Sequence, residues 1–152
     1  KCNKNLLADK AKNISDELKL LKKELEDIKK AAMGGEADKL ASAAVEINGI
    51  KLITKEFADY NINDLRGLSD DIKASNKNIC MVFAAVNGEK VTFLVSLTDD
   101  LVEKGLHAGK MIKEIAQAAG GGGGGKADMA QAGAKDVSKI KDAFSVAEKL
   151  LS

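Results

Sequence analysis

The chain holds 152 residues, with 24 Lys+Arg against 23 Asp+Glu, one His, two Cys and no Pro or Trp, for a net charge of +1. That is one domain's worth of chain, long enough to bury a core, and near-neutrality excludes the overall basicity of histone-like proteins, so any nucleic-acid contact must be a local patch. The single His excludes His-pair catalysis and His-rich metal sites, and Cys2 and Cys80 are too distant in sequence for a zinc knuckle.

A lone His also weakens any nucleophile–base–orienter triad. No apolar run approaches the ~18 residues of a membrane span, and no signal peptide is visible, so a cytoplasmic protein without a membrane partner is expected. The first residue is Lys1 rather than Met, which predicts a piece of a longer protein. The five aromatics (Phe57, Tyr60, Phe83, Phe93, Phe144) are scattered, so a base-stacking platform for single strands is not expected.

The fold class read from the pattern is α/β: a coiled-coil-like helical arm over residues 1–35, then a small globular domain over 36–152 with a mixed sheet covered by helices. Residues 4–32 read as one helix. Leu7, Ile14, Leu21 and Ile28 recur every seventh residue, with Ala11, Leu18, Leu25 and Ala32 four after each. Such a seam suits an amphipathic helix lying on its own domain or a coiled coil. Its narrowness and charged flanks favour helix–helix pairing, with Leu7, Ile14, Leu18, Leu21, Leu25 and Ile28 as the dimerisation residues. Gly34-Gly35 is expected to stop the helix, and a short one to follow over 36–44.

Val45–Ile47 and Ile50–Ile53 flank Asn48-Gly49, a strong hairpin signal. Asn63 or Asp64 is a candidate cap for a helix with Leu65, Leu68 and Ile72 on its apolar side. A second hairpin joins Ile79–Val86 to Val91–Leu97 around Asn87-Gly88. Cys80, Val82, Ala84 and Val86 share an apolar face with Val91, Phe93, Val95 and Leu97, and the opposite, mixed face is expected to be only partly covered. Thr98-Asp99-Asp100 caps a short helix to about Lys104. Further helices are expected over about 108–119 and from about Asp136, the last burying Ile140, Ala143, Phe144 and Ala147.

Between these two helices stand six glycines, Gly120 to Gly125. A glycine run is commonly a flexible linker, yet only a short helical stretch follows, too little for a separate domain. It satisfies G-x-G-x-x-G only trivially, since it follows a helix rather than a strand, and a P-loop would need Ser or Thr where Ala127 stands. An ordered turn held against the core is expected instead, with Gly122 and Gly124 as the positions where alanine would reveal a close approach. Asp128 and Gln131 are candidates to anchor it.

The run Gly120–Gly125, Lys126, Ala127, Asp128, Met129, Ala130, Gln131, Ala132, Gly133 resembles the signature near the C-terminus of alanyl-tRNA synthetases, a glycine-rich run followed by Arg-Pro-Asp-Met-Ala-Gln-Ala-Gly-Gly. Asp64-Leu65-Arg66, Asp70-Asp71, Val95-Ser96 and Ala108-Gly109 with Ile112-Lys113 are similar to the same domain, so the resemblance covers essentially the whole chain. Lys126, Ala127 and Ala134 depart from the family's Arg, Pro and Gly. The resemblance implies a non-catalytic C-Ala domain, related to the DHH-associated domain of certain phosphoesterases. Such a domain binds the tRNA specific for alanine at its elbow, links the aminoacylation and editing centres of the parent chain, and forms a homodimer through its arm. The alternative, the substrate-binding half of a DHH-type phosphoesterase, would require Asp- and His-rich metal motifs upstream and leaves the Asp-Met-Ala-Gln-Ala-Gly run unexplained.

Residues 104–141 carry seven Lys against three acids, a local charge of +4. Within them Lys104, Lys110, Lys113 and Lys126, with Gly122, Gly123 and Gly124, are the candidate tRNA-binding residues, since ammonium groups beside exposed backbone amides hold phosphates. His107 is expected in a turn, satisfied or solvent-facing, and Cys80 as a small apolar residue of the sheet. Cys2 is expected to be an exposed thiol.

Overall fold

The computed structural model describes residues 3–152, without the side chains of residues 3–12, 26 and 29–34. The expectation for Cys2 lies outside the described residues, as does the side chain of Leu7. The first helix, α1, spans Asn3–Ser42. Gly34-Gly35 thus does not end it, and the separate helix expected over 36–44 is its last part. Each glycine costs an exposed helix about 1 kcal/mol relative to alanine. Here the pair sits between Lys-, Ala- and Met-rich sequence and Glu36–Leu40, good helix formers on both sides, and Ala37 and Leu40 are buried.

Two compact units divide the chain, Lys1–Glu36 and Ala37–Ser152. In the first, the described members of the heptad seam are solvent-exposed: Ile14 is 67% exposed, Ile28 66%, and Leu18, Leu21 and Leu25 are more than half exposed.

The second unit contains β1 (Val45–Ile47), β2 (Ile50–Ala58), α2 (Ile62–Ser75), β3 (Ile79–Asn87), β4 (Lys90–Leu97), α3 (Asp99–Glu103), α4 (Ala108–Ala118), β5 (Gly122–Gly125), β6 (Met129–Ala134), a 3₁₀ turn (Val137–Lys139) and α5 (Ile140–Leu151). Its sheet has the order β1-β2-β3-β4-β6-β5. Only β2 and β3 run parallel, with α2 as their crossover, and the remaining pairs are antiparallel.

Both hairpin signals are realised. Asn48 and Gly49 take φ of 52° and 80°, the left-handed pair that a tight two-residue hairpin turn requires. In the second hairpin Asn87 pairs with Lys90, so the two-residue loop is Gly88-Glu89, with Gly88 at φ 66°. The cap of α2 is Asn61, not Asn63 or Asp64. Its side chain accepts from the Asp64 amide, and the Asp64 carboxylate accepts from the Asn61 amide. This reciprocal box satisfies two N–H groups that the helix start would otherwise leave open.

The alternation read for β3 and β4 is the observed register, with Cys80 opposite Leu97, Val82 opposite Val95 and Ala84 opposite Phe93. That face packs under α3, α4 and α5 through Leu101, Ile112, Ile115, Ile140, Ala143 and Ala147. The other face is also closed, contrary to the partial cover expected. Met81, Phe83 and Leu94 are fully buried there, with Leu65, Leu68 and Ile72 of α2 supplying the lid. Phe57 of β2 meets Phe83 edge-on at 5.3 Å. The sequence pattern understated this face because β2 extends to Ala58, five residues beyond the hairpin arm, and carries Phe57 into the core.

Candidate functional site

The glycine run divides by position. Gly120 ends α4 at φ 70°, and the Gly120 and Gly121 amides donate to the Gln117 and Ala116 carbonyls. This is the Schellman closure that glycine favours. Gly122–Gly125 then form β5, an edge strand paired with β6. The run is ordered, but as a strand rather than a turn.

Positions alternate along it. A Cβ at Gly123 would lie 2.4 Å from the Cα and Cβ of Ala132, and one at Gly125 2.6 Å from Ala130 Cα; at Gly121 it would lie 2.1 Å from the Gly133 carbonyl oxygen. At Gly122 nothing lies within 4 Å, and at Gly124 only the Lys113 Cε does, at 4.0 Å. The glycines that packing demands are therefore 121, 123 and 125. Gly122 and Gly124, singled out from the sequence, are the ones with room.

The strand β6 was not anticipated. Its signal was present as a period of two, with Ala130, Ala132 and Ala134 buried and Gln131 and Gly133 exposed. The small residue types hide it, because period two is conspicuous only where the alternating side chains are large and apolar. Alanine on that face is what permits the close glycine strand.

The turn between β5 and β6 docks on the start of α4. The Ala108 amide donates to the Ala127 carbonyl at 2.8 Å and the Gly109 amide to the Lys126 carbonyl at 3.1 Å. His107 is the cap of α4, its Nδ1 accepting from the Gly109 amide. A Cβ at Gly109 would stand 2.7 Å from the Gly125 carbonyl oxygen, which explains the Ala108-Gly109 pair.

Of the predicted cations, Lys113 and Lys126 stand beside the glycine strand, Lys113 by its stem against Gly124 and Lys126 as the residue that follows β5. Lys110 is one turn from Lys113 on α4, within the i,i+3 spacing of side-chain neighbours, and all three are exposed. Lys104 belongs elsewhere. Its ammonium donates to Asn78 Oδ1 at 3.1 Å, at the start of β3, three strand spacings (about 14 Å) across the sheet from β5. The basic stretch is divided at its other end too. Lys139 pairs with Asp136 at 3.8 Å, and Asp136, which accepts from the Ser138 hydroxyl and amide, is held below the ordinary carboxylate range chiefly by that hydroxyl.

Gln131 holds the glycines only through the strand pairing that sets it opposite Gly124, not through its side chain. Its Oε1 accepts from Arg66 Nη2 of α2 at 2.8 Å. Asp128 acts through its backbone, whose carbonyl accepts from the Leu97 amide at 2.8 Å. Cys80 is fully buried, and burial pushes its thiol up to about 12. Among the described residues no helix is long and apolar enough to cross a membrane.

The family profile of the DHHA1 domain matches residues 49–152. An alanine–tRNA ligase of Acetivibrio thermocellus is 40% identical over 151 residues, 99% of this chain and 17% of that protein. The chain thus spans about a sixth of the length of that curated relative. The C-Ala domain from Aquifex aeolicus alanyl-tRNA synthetase has a TM-score of 0.68 and 28% identity, covering 72% of this chain and 97% of that one. An exopolyphosphatase-related protein from Bacteroides fragilis shares the fold alone, at TM-score 0.51 and 18% identity, over 81% of this chain and 34% of its own. With the glycine-to-glycine run built into β5 and β6 of a mixed sheet, the chain belongs to the DHHA1 domain family and is similar, within it, to the C-Ala domain of alanyl-tRNA synthetases.

Proposed function

We propose that this chain is a non-catalytic, tRNA-binding C-Ala domain of an alanyl-tRNA synthetase, with the elbow of the tRNA specific for alanine as its target. In this reading it links the aminoacylation and editing centres of its parent chain in the cytoplasm. The observation that carries the proposal is a glycine edge strand bare of side chains and flanked by Lys113 and Lys126, with Lys110 close by. An edge strand lets another backbone approach, and ammonium groups beside it neutralise phosphate. With few exposed aromatics, recognition rests on shape and backbone, as is usual for folded RNA. The exposed apolar seam of α1, from Ile14 to Ile28, supports homodimerisation through the arm. Lys104, tied to Asn78 and distant from β5, is left out of the tRNA-binding set.

Retardation of alanine tRNA against other tRNAs, measured across salt, tests the proposal. Each phosphate contact removed lowers the slope of log K against log salt by about 0.7 to 0.9. Changing Lys110, Lys113 and Lys126 to Gln together is expected to lower it by about 2, whereas Lys104→Gln leaves it in place. An unchanged slope in the triple variant would remove this face from the interaction.

A further inference from the structure

The chain has 23 lysines and a single arginine. Arg66 lies partly buried on α2, lining a cleft of about 400 Å³ with the Gly124-Gly125 backbone, Lys126, Asp128, Met129 and Gln131. Its Nε is buried and has no hydrogen-bond partner, while Nη2 donates to Gln131 Oε1 at 2.8 Å. These two nitrogens form one edge of the guanidinium, the edge that grips a two-oxygen anion side-on. Gln131 offers that edge a single oxygen, and its own side chain is exposed. A buried N–H left unmade is unusual in a folded protein and calls for an explanation.

We propose that the cleft between α2 and the β5–β6 turn is a receptor for a phosphate group, with Arg66 as its bidentate donor and Gln131 as a stand-in that the ligand displaces. Two phosphate oxygens satisfy Nε and Nη2 together, which the glutamine cannot do. Lys126 supplies the second positive charge. Asp128 keeps the cleft at a formal charge of only +1, so a singly charged phosphodiester or a small phosphate monoester fits better than a polyphosphate. Met129 gives the remaining wall an apolar surface. Arginine rather than lysine is required because the edge, not the charge alone, makes the site. Where the phosphate comes from RNA, the cleft extends the tRNA face proposed above and rests on that reading; a free phosphate monoester would use the same chemistry without it.

The test exploits the lone arginine, because the Nε–H correlation in a ¹⁵N-labelled chain is a single resonance. It is followed while inorganic phosphate, adenosine monophosphate or alanine tRNA is added in separate titrations. A shift with tRNA alone assigns the site to an RNA phosphodiester. A shift with the small phosphates alone supports the receptor and assigns it to a free phosphate, leaving the tRNA contact to other residues. Arg66→Gln, which lacks that resonance and is therefore titrated by calorimetry alongside the parent chain, is expected to weaken the responding probe's affinity at least tenfold. Arg66→Lys recovers little of that loss, and Gln131→Ala retains or improves the affinity by freeing the edge. A resonance unmoved by all three probes overturns the proposal without touching the tRNA reading, which stands if retardation of the same tRNA persists. A loss in Gln131→Ala equal to that in Arg66→Gln also overturns it, since the glutamine would then be a ligand group or a structural tie rather than a stand-in.

Discussion

The sharpest test of the glycine strand places one methyl group at two adjacent residues. At Gly123 the added Cβ meets Ala132 Cα, Ala132 Cβ and the Gln131 carbonyl oxygen, all at 2.4 Å. Ordinary contact begins near 3.4 Å, so the two strands must part by about 1 Å, and the obstruction is backbone that no rotamer change relieves. Overpacking of this kind costs about 1–3 kcal/mol. At Gly122 the same methyl meets nothing within 4 Å, and the backbone is not left-handed there. Alanine at that site restricts the unfolded chain and stabilises by about 0.4–1 kcal/mol. The two variants should therefore differ by about 1.4–4 kcal/mol, with Gly123→Ala the weaker. At roughly 3–6 °C per kcal/mol for a unit of this size, thermal unfolding followed by circular dichroism separates them by about 4 °C or more. Equal melting temperatures, or a greater loss in Gly122→Ala, would refute the alternation on which the strand assignment rests.

The exposed seam of α1 predicts self-association. Leu18→Lys with Leu25→Lys would place four uncompensated charges in a paired seam, at several kcal/mol each, so sedimentation should show the mass falling to that of a single chain; the same mass in both proteins would exclude the seam as the contact. Burial of the Cys80 thiol predicts a loss of stability in alkali. Below its ordinary value near 9 both folded and unfolded chains keep the proton; between 9 and about 12 only the folded chain does. Stability therefore falls by about 1.4 kcal/mol per pH unit across that window. The comparison is Cys80→Ala, in which this part of the slope disappears; denaturant titrations from pH 8 to 10.5 that give parallel curves for the two proteins would contradict the burial.

What could be read in advance follows from how strongly each residue declares itself. Asn48-Gly49 announced a hairpin because few residues accept two consecutive left-handed positions. The face of Cys80, Val82 and Ala84 declared itself because period two in large side chains has no helical interpretation. Where the side chain is small or absent, the declaration fails. Ala130, Ala132 and Ala134 carry the same period as β3 but too little apolar volume to be noticed. Six glycines carry no pattern at all, so their partition into cap, contact and open positions emerges only from what stands opposite each of them. Gly34-Gly35 failed for the reverse reason, since a local signal for a stop was overridden by helix formers on either side and by the burial of Ala37 and Leu40. Arg66 was legible as part of a resemblance but not as a site. Its significance depends on Gln131, 65 residues away in sequence.

Packing accounts for four of the six glycines and leaves two over. Gly120 is needed for its left-handed φ, and Gly121, Gly123 and Gly125 are needed because β6 stands where their side chains would go. Nothing in the fold asks for glycine at 122 or 124, and each one adds entropy to the unfolded chain that a side chain would remove. The surplus points outward: an unoccupied strand surface beside Lys113 is useful when something must come closer than a methyl group permits. Gly122→Ala combined with Gly124→Ala is therefore expected to keep or raise the melting temperature while weakening alanine tRNA binding about tenfold, the effect of a methyl forced into a packed contact. Loss of binding together with stability would mean that these positions serve the fold after all. Binding at full affinity in a variant at least as stable would show that the open glycines face only water, and that the lysines alone hold the RNA.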